Sequence, residues 1–438
     1  MRAVREALAN DDQDAVREIV GSLHEADQAD LIELLGQDQR VQLLAAIRDD
    51  FRPNLLSYID DELRPFIVEQ LTPARVASAI IELDSDDAID FLEELDVETQ
   101  LAILEILPQR ERETVEQSLA YGESSAGRLM QREFVAIPDY WLVGQAIDYL
   151  RSQSNLPDDF FEIYLVNPRF QPVGAIALSR ILRSKRQTPL NQLQHQDLKT
   201  VSATTDQEDA ALLFRQYGLV SAPVTGDTGR LIGVITVDDI VEVIQEEAEE
   251  DILALGGVQE GDILTPPLKT GLRRVPWLIV NLLTAVVASL VIARFEDQIA
   301  QAVALAVLMP IVASMGGNAG TQTLTVVVRA LATRDVSTAN AFRIFIKELL
   351  VGGLHAVVFF VVGILLAVFW FQQPLLALIF GAAMVINLLA AAIAGVTIPL
   401  VLDRLKVDPA VASGVFLTTV TDVVGFFAFL GLAALYLL

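Results

Sequence analysis

Four stretches of this 438-residue chain are apolar enough to cross a bilayer, for which about 20 residues per helix suffice. Residues 275–293 and 298–328 carry no charge, and 349–402 carry none over 54 positions. The last is long enough for two spans, and "FQQP" (371–374) is its natural break. Residues 411–438 give a fifth span containing one charge, Asp422.

With the first span entered from the cytosol, the loops alternate. Lys269, Arg273, Arg274, Arg329, Arg334, Arg343, Lys347, Arg404 and Lys406 then lie inside, and Arg294 lies outside. This asymmetry of Lys and Arg is the bias that sets membrane orientation. It predicts a multi-pass protein of the plasma (inner) membrane with a cytosolic N-terminus and its C-terminus outside. The opening "MRAVREALANDDQDA" is polar and lacks the apolar core of a signal peptide, so the N-terminal half is expected to remain in the cytosol.

The second span contains "SMGGNAGTQTLT" (314–325), with glycines, amides and hydroxyls where lipid would ask for hydrocarbon. Together with Pro310 it predicts a bend or unwound turn near 310–320. Irregular backbone survives at membrane depth only where protein buries it or a wet path runs beside it. Asn318 lies 11 residues from Arg329, and Asp422 lies 14 from Asp408. At 1.5 Å per residue these are about 16 and 21 Å from the inner face, both near the middle of a ~30 Å core. A carboxylate at that depth is costly by about 2.5–3.5 kcal/mol unless hydrated or paired, which makes Asp422 a functional candidate. Thr418 precedes it by one turn on the same face. The glycines alone fit helix packing equally well.

Before the spans the pattern changes. Residues 1–120 read as helices only, with acids at their starts, and "LHEADQADLIELLGQDQRVQLLAAI" (23–47) matches "LDSDDAIDFLEELDVETQLAILEIL" (83–107). Asp30/Asp90, Leu35/Leu95 and Leu44/Leu104 stand in register, as in a stack of helix pairs. Residues 126–248 hold another repeat, 134–152 against 200–218 and 172–182 against 231–241, with Gly174 and Gly233 corresponding. Strand, helix, strand, strand, helix, occurring twice, resembles a tandem CBS-domain pair, a module that binds adenine nucleotides or regulates an attached protein. "DDIVEVIQEEAEEDILALGG" (238–257) then carries acids throughout and no base, and as a helix it aligns positions 239, 242, 246 and 250.

Charge separates the two halves. From Lys269 onward seven acids face ten bases; the preceding 268 residues hold 51 acids and 21 bases, a balance of −30. Such a half repels nucleic acid and attracts cations. There is no cysteine and there are three histidines, so oxygen ligands for hard cations far outnumber those for soft metals. No constellation for covalent or acid–base catalysis stands out, and the chain is not expected to be an enzyme.

The order of parts, with "PIVASMGGNAGTQTLTVVVRALA" (310–332), "YGESSAGRLM" (121–130), "TDQED" (205–209), "VDDIVEVIQEEAEEDI" (237–252) and "TTVTDVVGFF" (418–427), closely resembles the MgtE family of magnesium channels and transporters. The resemblance implies a homodimer of five-span subunits conducting Mg²⁺. It divides the chain into an acidic helical N domain (1–122), a CBS pair (123–248), a connecting or plug helix with its linker (249–271) and a transmembrane pore domain (272–438). It implies a pore ion at Asp422, with Gly317, Asn318, Thr321 and Thr418 near its water shell. It further implies regulatory Mg²⁺ carboxylates at Asp86, Asp90, Asp206, Glu208, Asp239, Glu242, Glu247, Glu250 and Asp251, with Asp408 beneath the pore, and ATP as a ligand of the CBS pair. Position 242 is Glu where the family often has Asp. Two other readings compete: a proton- or sodium-coupled carrier using Asp422, and a nucleotide sensor merely anchored in the membrane.

Overall fold

The computed structural model describes residues 1–157, 159–194, 197–258, 267–334 and 340–437; His195 and linker residues 259–266 lie outside them. The chain forms two compact units, Met1–Glu247 and Ala248–Leu438.

The first unit opens with nine helices: α1 (Arg2–Ala9), α2 (Gln13–Gly21), α3 (Glu25–Glu33), α4 (Gln37–Ile47), α5 (Arg64–Leu71), α6 (Pro73–Ile80), α7 (Ser85–Glu93), α8 (Val97–Ile106) and α9 (Gln109–Leu119). Acids at several helix starts are caps: Asp12 accepts from the Ala15 N–H at 3.1 Å, and Asp96 from those of Glu98 and Thr99. These bonds satisfy amides that the first helical turn leaves without partners. The repeat read from sequence is α3–α4 against α7–α8. Its paired leucines Leu35/Leu95 and Leu44/Leu104 are all buried in one core.

After the short α10 (Ala126–Leu129) come two copies of one α/β unit. The first holds β1 (Ala136–Pro138), α11 (Val143–Ser152), β2 (Glu162–Val166), β3 (Pro172–Ala177) and α12 (Leu178–Leu182). The second holds β4 (Val201–Ser202), α13 (Gln207–Tyr217), β5 (Ser221–Thr225), β6 (Leu231–Thr236) and α14 (Val237–Leu255). In each, the first strand pairs parallel to the second and the second antiparallel to the third. Gly174 faces Leu165 and Gly233 faces Val224, so the repeat holds to the residue. A Cβ on Gly233 would lie 2.8 Å from Met130 Cγ and 2.9 Å from the Gln131 carbonyl, which explains the glycine.

The second unit contains α15 (Pro267–Ala293), the short α16 (Glu296–Gln301), α17 (Val303–Ala332), α18 (Ala341–Phe371), α19 (Pro374–Arg404) and α20 (Pro409–Tyr436). Five of these six, all but α16, are long and apolar enough to cross a membrane. The "FQQP" break is real: Gln372 takes the left-handed conformation, φ 55°, between α18 and α19. α19 is central, with 61% of its apolar window buried against 6% for α15.

The expected unwound turn at 310–320 is absent. α17 is one helix through Pro310, Gly316, Gly317 and Gly320. The reason is packing: a Cβ on Gly316 would overlap the Asn387 amide, and one on Gly320 would lie 2.8 Å from Leu417 Cδ1. Gly395 answers from α19, where a Cβ would approach the Gly320 carbonyl to 2.9 Å. Small residues let the backbones of α17, α19 and α20 close together, and the helix stays intact.

Candidate functional site

The glycines of α17 serve two different purposes. Gly316 and Gly320 are buried in the seam with α19 and α20, whereas nothing but Thr421 Oγ1, at 3.9 Å, would meet a Cβ on Gly317. Beside Gly317 runs a polar stripe with helical spacing, Asn318, Thr321, Gln322 and Thr325, and all four are exposed in the chain. On α20, Thr418 is exposed and Asp422 half-buried, one turn apart. Gly317 and Thr421 therefore bring the Asn318 and Asp422 levels of the two helices together.

The hydroxyls of the stripe are already committed. Thr321 donates to the Gly317 carbonyl, Thr325 to that of Thr321, and Thr418 to that of Gly414, each at 2.9 Å. Their hydrogens are used along their own helices, so what they offer to the open side is oxygen lone pairs.

Ala254 in the last turn of α14 is buried with Leu324 and Val328 of α17, Ala394 of α19, and Ala410 and Leu417 of α20. Glu250 and Asp251 lie one turn before Ala254. Asp408 caps α20, accepting from the Ala410 N–H at 2.7 Å.

The acids of the first unit fall into separate groups. Asp86 of α7 is partly buried, and its pKa is raised well above the ordinary carboxylate range by desolvation and then by the nearby charge of Asp239. Asp239, at the start of α14, is pushed to about 7 chiefly by burial, although Thr236 donates to it through its hydroxyl at 2.7 Å. Asp87 rises to about 6, again mainly through burial, and Glu242 is raised by burial and by Asp90. Asp90 itself is paired: buried Arg64 donates to it at 2.7 Å and to Asp61 at 2.8 Å. Asp206 caps α13 by accepting from the Glu208 N–H at 2.9 Å, and Gln207 donates to Glu247 of α14 at 2.7 Å. Among the described residues, no three acid or histidine side chains converge on one metal-sized position.

Three participants escaped the sequence. Arg64 is 26 residues from Asp90, too far for any local spacing to pair them. Asp87 reads as one of many helix-start acids. Asn387 is fully buried on α19 and donates to the Val312 carbonyl at 2.8 Å; one polar letter in an apolar run was its signal.

The signature of MgtE divalent cation transporters matches residues 309–432, that of the MgtE intracellular N domain residues 23–124, and that of CBS domains residues 191–246. The magnesium transporter MgtE of Thermus thermophilus is 33% identical over 359 residues, 81% of this chain and 79% of that one. This chain belongs to the MgtE family. The Bacillus subtilis magnesium transporter MgtE is 30% identical over 82% of this chain and 80% of its own. Among solved structures, the soluble part of a magnesium transporter is similar over 56% of this chain and 96% of its own, at 27% identity and a TM-score of 0.50. The cytosolic domain of the Mg²⁺ channel MgtE in complex with ATP is similar over 55% and 98%, at 28% identity and a TM-score of 0.50. The protein is thus a membrane transporter of a magnesium-transporting family, with the family's N domain, a CBS pair and five apolar helices, and not an enzyme.

Proposed function

We propose that the chain forms a Mg²⁺-selective channel of the plasma membrane, assembled as a homodimer, with Asp422 as its pore carboxylate. The carrying observation is the stripe of oxygen acceptors on α17 and α20 around a single half-buried carboxylate. Mg²⁺ holds water in an octahedron and dehydrates reluctantly, so its usual partners are one or two carboxylates and its own water shell. The outward hydrogens of those waters need acceptors. Thr321, Thr325 and Thr418 are acceptors by construction, the Asn318 amide oxygen adds another, and the open side of Gly317 gives a large hydrated ion room. Asp422 supplies the charge.

Closure follows from the same chemistry in the first unit. Asp86, Asp87 and Asp239 lie near one another on α7 and α14, with Glu242 close to Asp87 and only Glu242 offset by Arg64, so their approach is unfavourable until a proton or a divalent ion neutralises it. Cytosolic Mg²⁺ bound there, and at Glu247, Glu250, Asp251 and Asp408, favours the arrangement in which the end of α14 packs at the inner rim of the pore helices. Asp90 enters as the partner of Arg64, a supporting role, and Asp206 and Glu208 at the start of α13. The domain division at 122, 248 and 271 assigns sensing to the first three parts and conduction to the last. ATP is proposed as a ligand of the CBS pair, by similarity to the ATP-bound cytosolic domain. The N-terminus is cytosolic and the C-terminus outside, on the strength of the inner Lys and Arg residues.

Bilayer recording of the purified protein, with Mg²⁺ varied on each side, tests this reading. We expect Mg²⁺ current that falls as cytosolic Mg²⁺ rises. Flux that instead follows an imposed proton or sodium gradient would replace the channel with a coupled carrier.

A further inference from the structure

We propose that Asn387 is a positioning residue for ion conduction: its amide fixes the separation of α17 from α20 at the level of Asn318 and Asp422. The inference rests on the channel reading above and deepens it.

Three observations place the amide. Asn387 lies 13 residues into α19, Asp422 lies 13 into α20, and Asn318 lies 15 into α17, each near the middle of its helix. The Asn387 side chain is fully buried, and Nδ2 donates to the Val312 carbonyl on α17 at 2.8 Å. Gly316 of α17 and Gly425 of α20 both stand against this amide: a Cβ on Gly316 would overlap it, and one on Gly425 would lie 2.7 Å from Nδ2. Gly316 is two residues from Asn318, and Gly425 is three from Asp422. One side chain of a third helix thus touches both walls of the proposed path from behind.

The chemistry explains why an amide occupies the junction. The Val312 carbonyl lies within α17, so the bond from Asn387 uses its second lone pair and leaves the helix intact. Leucine has the same branched outline but is bulkier and could not donate. Asn387 Oδ1 is buried without a hydrogen-bond partner among the described residues. A buried polar atom left so is unfavourable by about 1–3 kcal/mol. A junction needing only bulk would be better served by a hydrocarbon side chain, so the amide's directed bond is the property retained.

The test is Asn387→Leu in the full-length protein, recorded in bilayers beside the unsubstituted protein and Asp422→Ala. A packing role alone would change how many channels survive purification, not how each conducts. A positioning role changes unitary conductance and the Mg²⁺-to-Co²⁺ permeability ratio. We expect Asn387→Leu to lower unitary Mg²⁺ conductance roughly tenfold, the factor carried by one hydrogen bond of ~1.4 kcal/mol expressed in the conduction barrier, with the permeability ratio shifted. If Asp422→Ala is silent while Asn387→Leu conducts with unchanged unitary properties, the positioning role is wrong and the channel reading stands. If Asp422→Ala conducts normally, the channel reading fails first. Should Asn387→Leu not fold, Gly425→Ala serves, because its methyl pushes the amide from Val312 while leaving Asn387 in place. Unaltered unitary conductance in that variant overturns the proposal as well.

Discussion

Replacing Gly316 and Gly317 by alanine, one at a time, should move stability in opposite directions. An interior helical glycine is less favourable than alanine by about 0.8–1 kcal/mol. At Gly317 the new methyl meets nothing nearer than Thr421 Oγ1 at 3.9 Å, so Gly317→Ala should stabilise by about 1 kcal/mol. At Gly316 the methyl overlaps the Asn387 amide. Overpacking of this kind is unfavourable by roughly 1–3 kcal/mol, and displacing the Asn387–Val312 bond adds about 1. Net of the helical gain, Gly316→Ala should destabilise by about 1–3 kcal/mol. The variants should therefore differ by roughly 2–4 kcal/mol although they are adjacent in sequence and identical in chemistry. Reversible unfolding in mixed detergent micelles, followed by tryptophan fluorescence, measures the difference. Shifts of the same sign would mean that the two glycines do not divide between packing face and open face. Carried further, Gly317→Leu should fold and yet block Mg²⁺ flux per folded protein, because the side chain enters the open side of the stripe.

Asp422→Ala should abolish Mg²⁺ uptake while the protein still folds; uptake equal to the unsubstituted protein would remove Asp422 from the pore. In chelator, Asp239→Asn should slow hydrogen exchange in α7: burial raises Asp239 from its ordinary 3.8 to about 7, so the ionised carboxylate weakens packing increasingly as pH rises between those values. The slowing should be negligible near pH 4 and complete above pH 7, and a pH-independent effect would refute the electrostatic cause. Deleting residues 1–120 should leave conduction intact and raise the Mg²⁺ concentration needed for closure; superimposable open-probability curves would reduce the acidic half to a solubilising surface.

Much of this was legible because it is local. The spans follow from uncharged length, the α18–α19 turn from "FQQP", and both repeats from residues in register such as Gly174 and Gly233. The acids at helix starts declared themselves as caps, and Asp12 and Asp96 are caps. The glycine segment misled for an instructive reason. Glycine permits irregular backbone and also permits close approach, and only the neighbours decide between them. Asn387, Leu417 and Gly395, between 71 and 97 residues from the glycines they meet, made it an intact packed helix. Arg64 was invisible for the same reason. Its pairing with Asp90 depends on how α5 meets α7, and no spacing along the chain encodes that.

The glycine seam also restricts how the membrane unit can move. Gly316 and Gly320 are seated where no side chain fits, so α17 cannot slide along α19 and α20 like a piston. A shift of one turn would bring Val312 to the position of Gly316, or Leu324 to that of Gly320, into space that admits a hydrogen atom. The helix is keyed in place. In the channel proposed above, opening must then keep α17, α19 and α20 together as a block and act by tilting whole blocks apart or by releasing the small contact of Ala254 with Leu324, Val328 and Ala410. A gate of that form is a hatch on a rigid frame, and substitutions that loosen it should be found at the rim rather than in the seam.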